Sequence, residues 1–218
     1  MKKLIALIVA IGALYYFKPG LFPAFGHKGA FDAKGNPQVL VFTDSNCADW
    51  CAKAMQDLRE RGVSFQELHL AESEAIRDRY QKLGGTGTIP YVVVGSQVVP
   101  GYHKGKMASA LGRAYGDKYL TRAEHIFYAS HFKPDGSPTV YMYGASWCGY
   151  CRIMREELEK RHIPYAEVDV EKSSDRALIE DAMAIDGFPV TYVGYERIDG
   201  EKVDAVLAAL KTAGNRRM

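Results

Sequence analysis

The chain is short of several things, and each shortage narrows what it does. It has no low-complexity tract and no acidic or basic tail, so no segment has the composition of a disordered interaction arm. It has no basic surplus either. The formal net charge is +2, and outside Lys2, Lys3 and Lys18 the 218 residues carry 25 basic against 26 acidic side chains. Neutralising phosphates takes an excess of cations, so the balance argues against nucleic acid as a partner. Cysteine is scarce, with four in all. A secreted disulfide scaffold scatters its cysteines between distant elements, whereas Cys47 with Cys51 and Cys148 with Cys151 stand as two local pairs. The six histidines, His27, His69, His103, His125, His131 and His162, show no ligand spacing and read as ordinary surface or loop residues.

The apolar run near the N-terminus, Leu4 to Phe17, is 14 residues long. It falls short of the roughly 20 residues that span a bilayer comfortably and fits the core of a signal peptide better. Lys2 and Lys3 before it give the polarity of an exported segment, with the amino end held in the cytoplasm. Tyr15, Tyr16, Phe17 and Lys18 resemble an interfacial belt, and the small-residue cleavage pattern is poor. Residues 1–26 are therefore expected to be a cleaved signal or a membrane anchor. The expected location is the bacterial cell envelope, in the periplasm, either secreted or held to the inner membrane by residues 4–17.

The remainder is duplicated. FDAKGNPQVLVF from Phe31 is matched by FKPDGSPTVYMY from Phe132, an offset of 101. The match persists at Arg61 to Phe65 with Arg161 to Tyr165, and at Thr88-Ile89-Pro90 with Gly187-Phe188-Pro189. Each copy reads as β-α-β-α-β-β-α: β-branched and aromatic runs at 38–43 and 139–144, alternating strands at 63–70 and 163–170, and a closing hairpin. The second helices are expected to bury Ile76, Tyr80 and Leu83, and Leu178, Ala182 and Ile185. The last helices are expected to bury Met107, Ala110, Leu111 and Ala114, and Val203, Val206, Leu207 and Leu210. The expected division is residues 27–116 and 138–218 as two α/β domains, with 117–137 as a linker whose aromatics pack.

All four cysteines fall where a first strand meets a first helix. A thiol reacts as its thiolate, and the unpaired N–H groups and positive dipole end of a helix start favour that anion. Cys148 is the expected thiolate. Cys151, nearly one turn further along the same face, is the expected resolving thiol. Cys47 and Cys51 have three residues between them, a spacing that still lies within reach of a disulfide. Asp49 beside Cys47 works against a thiolate there.

Ala145-Ser146-Trp147-Cys148-Gly149-Tyr150-Cys151 resembles the active-site turn of the thioredoxin superfamily. Trp147-Cys148-Gly149 is similar to thioredoxin and Tyr150-Cys151 to glutaredoxin. The resemblance covers nearly all of residues 31 to 213 and implies two tandem thioredoxin-fold, glutaredoxin-like domains acting in thiol–disulfide exchange with thiol- or disulfide-bearing protein substrates and a redox partner. It also implies that Pro90 and Pro189 are cis prolines beside the cysteines. Ile89 and Phe188, with Trp147 and Tyr150, would then border the substrate groove. The buried aspartate of thioredoxins is replaced by Met142, and by Val41 in the first copy. The glutathione-holding pattern of glutaredoxins is poorly matched by Gly101-Tyr102-His103-Lys104 and Asp199-Gly200-Glu201-Lys202. No cofactor is expected, and glutathione is only weakly supported as electron donor. Two other readings of the cysteines stay open: a zinc or iron–sulfur site built from all four, and a peptide-binding module without catalysis.

Overall fold

The computed structural model describes residues 29–215. The expected signal or anchor segment lies outside the described residues. In the first unit β1 (Val39–Thr43), α1 (Ala48–Glu60), β2 (Gln66–His69), α2 (Glu74–Lys82), β3 (Tyr91–Val94), β4 (Gln97–Pro100) and α3 (Lys104–Tyr115) follow in order. After a 3-10 turn (Gly116–Tyr119) and α4 (Arg122–Ala129), the second unit runs β5 (Val140–Gly144), α5 (Gly149–Lys160), β6 (Tyr165–Asp169), α6 (Arg176–Ala182), β7 (Val190–Val193), β8 (Glu196–Asp199) and α7 (Val203–Asn215). The sheets have orders β2-β1-β3-β4 and β6-β5-β7-β8, each with one parallel and two antiparallel pairings.

The central strands are apolar because both of their faces are covered. Val39, Val41, Val92 and Val94 pack on α1 and α3, while Leu40, Phe42 and Val93 turn to α2. In the second unit Val140 and Met142 meet α5 and α7, and Tyr143 and Tyr192 meet α6. The repeated motif ahead of each first strand closes a tight turn, bridged Phe31 to Pro37 and Phe132 to Pro138. Gly35 and Gly136 sit there at φ 84° and 76°, a backbone region that favours glycine.

Three elements differ from the sequence expectation. The helix face expected as Leu178, Ala182 and Ile185 is instead Ile179, Ala182 and Met183, while Leu178 is 45% exposed. The helix spans only Arg176–Ala182, and Ile185 lies beyond its end, after Ala184 at φ 47°. The connection at 117–137 does pack, and it contains α4, whose Tyr128 joins the second core beside Ala108 of α3. His131 is no surface or loop histidine of the ordinary kind; it is fully buried.

Neighbouring rings and a carbonyl hold His131. Its Nδ1 lies 3.2 Å from the Gly194 carbonyl and its Nε2 lies 2.9 Å from the Tyr143 hydroxyl. A carbonyl only accepts, so Nδ1 carries the proton and Nε2 accepts from the tyrosine. The ring stacks on Tyr192 at 4.4 Å. Burial pushes the pKa of this histidine down to about 3, against a smaller opposite effect of the Gly194 carbonyl. The unfolded chain takes up this proton near its ordinary value of 6.5, and the folded chain does so only near 3. The contribution to stability is therefore complete above pH 6.5 and is lost as pH falls towards 3. At most about 5 kcal/mol is at stake. Denaturant titrations across this window should show wild-type stability falling more steeply than that of His131→Gln, whatever their difference at pH 7.

The units meet along α3 and the edge strand β8. Ser109 Oγ donates to the Tyr195 carbonyl at 2.6 Å and accepts from the Arg197 amide at 3.2 Å, satisfying backbone that an open edge would expose. The approach is close: a Cβ on Gly112 would stand 2.5 Å from the Tyr195 ring.

Candidate active site

Each cysteine pair sits in the turn from first strand to first helix, and each is closed as a disulfide, with Cα separations of 5.5 Å for Cys47–Cys51 and 5.2 Å for Cys148–Cys151. The four sulfurs are thus engaged as two separate pairs.

The two turns differ in how they use the helix start. Cys148 is the N-cap of α5 in an extended conformation, φ −70° and ψ 115°, and its sulfur accepts the Cys151 amide N–H at 3.0 Å. That amide is one of the orphan donors of a helix N-terminus, and an anion on Cys148 gains most from it. Cys47 is already helical, φ −92° and ψ −13°, and its sulfur caps no amide of α1. Its carbonyl takes the Cys51 amide instead, at 3.1 Å. The extra residue between the cysteines winds Cys47 into the helix and turns its sulfur away from the donors. Asp49 adds an acidic group to the first turn of α1, whereas that of α5 has none.

The surroundings of Cys148 and Cys151 are apolar. Both sulfurs are buried, in a cluster with Ala145 and the partly buried Phe188. Phe188 precedes Pro189 across a cis peptide, as the resemblance implies, and its ring meets that of Trp147 edge-on at 6.3 Å. Trp147 is 70% exposed and its indole N–H donates to Glu171. Tyr150, 60% exposed, and Ile153 extend the apolar surface along α5. Ile89–Pro90 is also cis, and Ile89 packs on the core of the first unit. The structure therefore brings Cys148, Cys151, Trp147, Phe188 and Pro189 together, with Tyr150 beside them. Arg152, next to Cys151, is exposed.

Sequence reading missed Arg155 and Glu167. Arg155 of α5 holds Glu167 of β6 through two bonds of 2.8 Å, and the carboxylate raises the guanidinium pKa above its ordinary value. The signal was available: Glu67 and Glu167 are separated by the offset of 100 that relates the second strands of the two copies.

A dithiol closed across a strand-to-helix turn, with a cis proline beside it, defines a class of proteins that exchange disulfides through paired cysteines. The glutaredoxin family model matches the chain twice, over residues 39–99 and 139–198. The chain is 31% identical over 65 residues to a glutaredoxin of Pseudomonas aeruginosa, covering 30% of this chain and 76% of that protein. It is 33% identical over 63 residues to glutaredoxin 3 of Escherichia coli K12, covering 29% and 75%. Among solved structures, a buckwheat glutaredoxin–glutathione complex aligns with 18% identity and a TM-score of 0.35 over 42% of this chain and 90% of that one. The N-terminal N/C domain of alkylhydroperoxide reductase AhpF from Enterococcus faecalis aligns with 14% identity and a TM-score of 0.31 over 80% and 90%. The chain belongs to the glutaredoxin family, in two tandem copies, and is a thiol–disulfide oxidoreductase.

The contrast between the helix starts yields a measurable difference. In the reduced protein, the pH dependence of alkylation followed by peptide mass spectrometry should give Cys148 an apparent pKa below the free-thiol value of about 8.5. Cys47 should lie above Cys148.

Proposed function

We propose that Cys148 is the attacking thiol and Cys151 the resolving thiol of this oxidoreductase, acting on protein disulfides or small disulfides in the groove bordered by Trp147, Tyr150, Phe188 and Pro189. The observation that carries the reading is the Cys151 amide bonded to the Cys148 sulfur at the start of α5. The Cys148 thiolate attacks a substrate disulfide, forming a mixed disulfide and releasing one substrate thiolate. Cys151 then attacks Cys148, closing the enzyme disulfide and releasing the second substrate sulfur. The substrate gains two electrons and the dithiol loses them; run backwards, the same steps oxidise a substrate dithiol. Cys47 and Cys51 form a second pair able to take part in exchange, less activated for the reasons given by its helix start.

Glutathione, if it is the electron donor, falls to the second unit in this reading. The turn before α3 is occupied: Lys104 pairs with Asp181 at 3.0 Å and His103 with Asp186 at 3.5 Å. Its counterpart before α7 keeps Glu201 and Lys202 exposed. The envelope location inferred from Lys2, Lys3 and the apolar run Leu4 to Phe17 belongs to the same proposal. Among the described residues no helix is long and apolar enough to cross a membrane, so membrane attachment would fall to that run.

Cys148→Ser should reduce insulin or mixed-disulfide reduction to background. Cys151→Ser should accumulate mixed disulfides with substrate, and Cys47→Ser should keep most of the turnover. Unchanged turnover in Cys148→Ser would sink the assignment. For location, the chain should partition with the periplasmic or carbonate-washed membrane fraction of its host; recovery with cytoplasmic markers would refute it.

A further inference from the structure

The second unit carries a carboxylate that the exchange chemistry leaves unused. Glu167 stands opposite Met142 in the β5–β6 register, so its side chain rises from the sheet face that α5 covers. Arg155, one turn beyond Cys151, clasps it and also donates to the Ala145 carbonyl at 3.3 Å. The last residue of β5 is Gly144. A Cβ there would lie 2.7 Å from Glu167 Oε1 and 3.3 Å from Cys151 Sγ. The glycine thus leaves a gap narrower than a methyl group, and the carboxylate and the buried sulfur are its walls.

The first unit has the same carboxylate without the gap. Glu67 stands opposite Val41 in the equivalent register. Thr43 replaces the glycine, supplying the missing Cβ, and its hydroxyl donates to Glu67 Oε1 at 3.0 Å. Met55 stands where Arg155 does. Of the other ionisable groups around Arg155, Asp169 is engaged by the Ser146 amide at 3.1 Å and by Lys172 at 3.3 Å, and Tyr165 packs against the core under α5 and α7.

We propose that Glu167 accepts the proton of the Cys151 thiol when Cys151 attacks the mixed disulfide, with Arg155 aiming the carboxylate and Gly144 keeping the path open. The inference rests on the assignment of Cys148 as attacking and Cys151 as resolving thiol. A thiol attacks only as its thiolate, and Cys151 is fully buried, away from water that would otherwise take the proton. In the step, the Cys151 proton passes to Glu167 across this narrow gap, and Cys151 sulfur attacks Cys148 sulfur. The Cys148–Cys151 bond forms, the bond from Cys148 to substrate breaks, and the substrate sulfur leaves as thiolate with the electron pair. In the reverse direction the Glu167 acid protonates Cys151 as it departs. Glu167 and Arg155 keep 20% and 26% of their side-chain exposure, a route for the proton onward to solvent.

The test is a rapid acid quench of the reduced full chain mixed with bis(2-hydroxyethyl) disulfide, with mass spectrometry separating formation of the Cys148 mixed disulfide from its resolution. Glu167→Gln should form the adduct at the wild-type rate and resolve it at least about tenfold more slowly. The deficit should shrink as pH rises beyond the free-thiol value of about 8.5, where the thiol ionises with less help. Glu167→Asp should recover part of the rate. Gly144→Ala, which inserts the missing methyl, should repeat the slow resolution and provides the reading if Glu167→Gln does not fold. Wild-type resolution in Glu167→Gln, or equal slowing of both steps, overturns the proposal. Failure of the wild type to form any Cys148 adduct overturns the thiol assignment itself, and the inference with it.

Discussion

The bond from the Cys151 amide to the Cys148 sulfur depends on a strand ending and a helix beginning at fixed places. A sulfur reaches a free helix amide only from the N-cap position with an extended backbone. That backbone in turn requires β5 to stop at Gly144 and α5 to begin at Gly149, with the intervening turn pinned by the Cys148 amide to the Ala145 carbonyl. The strand is held by pairing on both sides, to β6 and to β7. The helix is held by Met154 and Leu158, which have no exposure and sit on the core that β5 and β7 build. The reactive turn can therefore be exposed at its rim while its anchors are among the most buried side chains of the unit.

One residue more at the same place changes the outcome. In the first unit the sheet order, helix placement and cis proline are all kept, yet Cys47 lies within the helical backbone and its sulfur loses the amide. Around it the differences run in one direction: Thr43 for Gly144 and Met55 for Arg155. The first unit has meanwhile taken on a supporting load. Its last helix is buried on two sides, with Met107 and Leu111 in its own core and Ala108 in the other.

The duplicated order of elements was legible because each unit repeats the same periodicities and turn residues at a nearly constant offset, and the cysteine pairs announce their place at the strand-to-helix junction. What was not legible required three dimensions. Leu178 and Ile179 are adjacent apolar residues, and only the two-turn length of α6 decides which faces inward. His131 looks like any loop histidine until Gly194 and Tyr143, distant in sequence, supply an acceptor and a donor for its two nitrogens. Glu167 is a charged residue on an edge strand, normally solvated; it gains meaning from a glycine on the next strand that no periodicity marks.

The linkage of the two units follows from a buried charge. Arg61, the C-cap of α1, and Glu124 of α4 keep 1% and 0% of their side-chain exposure and are joined by two bonds of 2.6 and 2.7 Å. Burial disfavours the Arg61 charge, yet Glu124 and Asp57 together raise its pKa. Glu124 also accepts the Thr121 amide at 2.7 Å, so the pair completes the capping of α4 as well. Removing one partner of such a pair leaves a buried charge uncompensated, at a cost of about 3–5 kcal/mol. Because α4 places Tyr128 in the core of the second unit, the guanidinium fastens that core to the first helix of the other unit. With Ser109 closing the β8 edge, the first unit is committed to the second on two fronts, a backbone edge and a buried ion pair. A unit so committed is held in its fold by these contacts, independently of the fact that its own sulfur caps no helix amide.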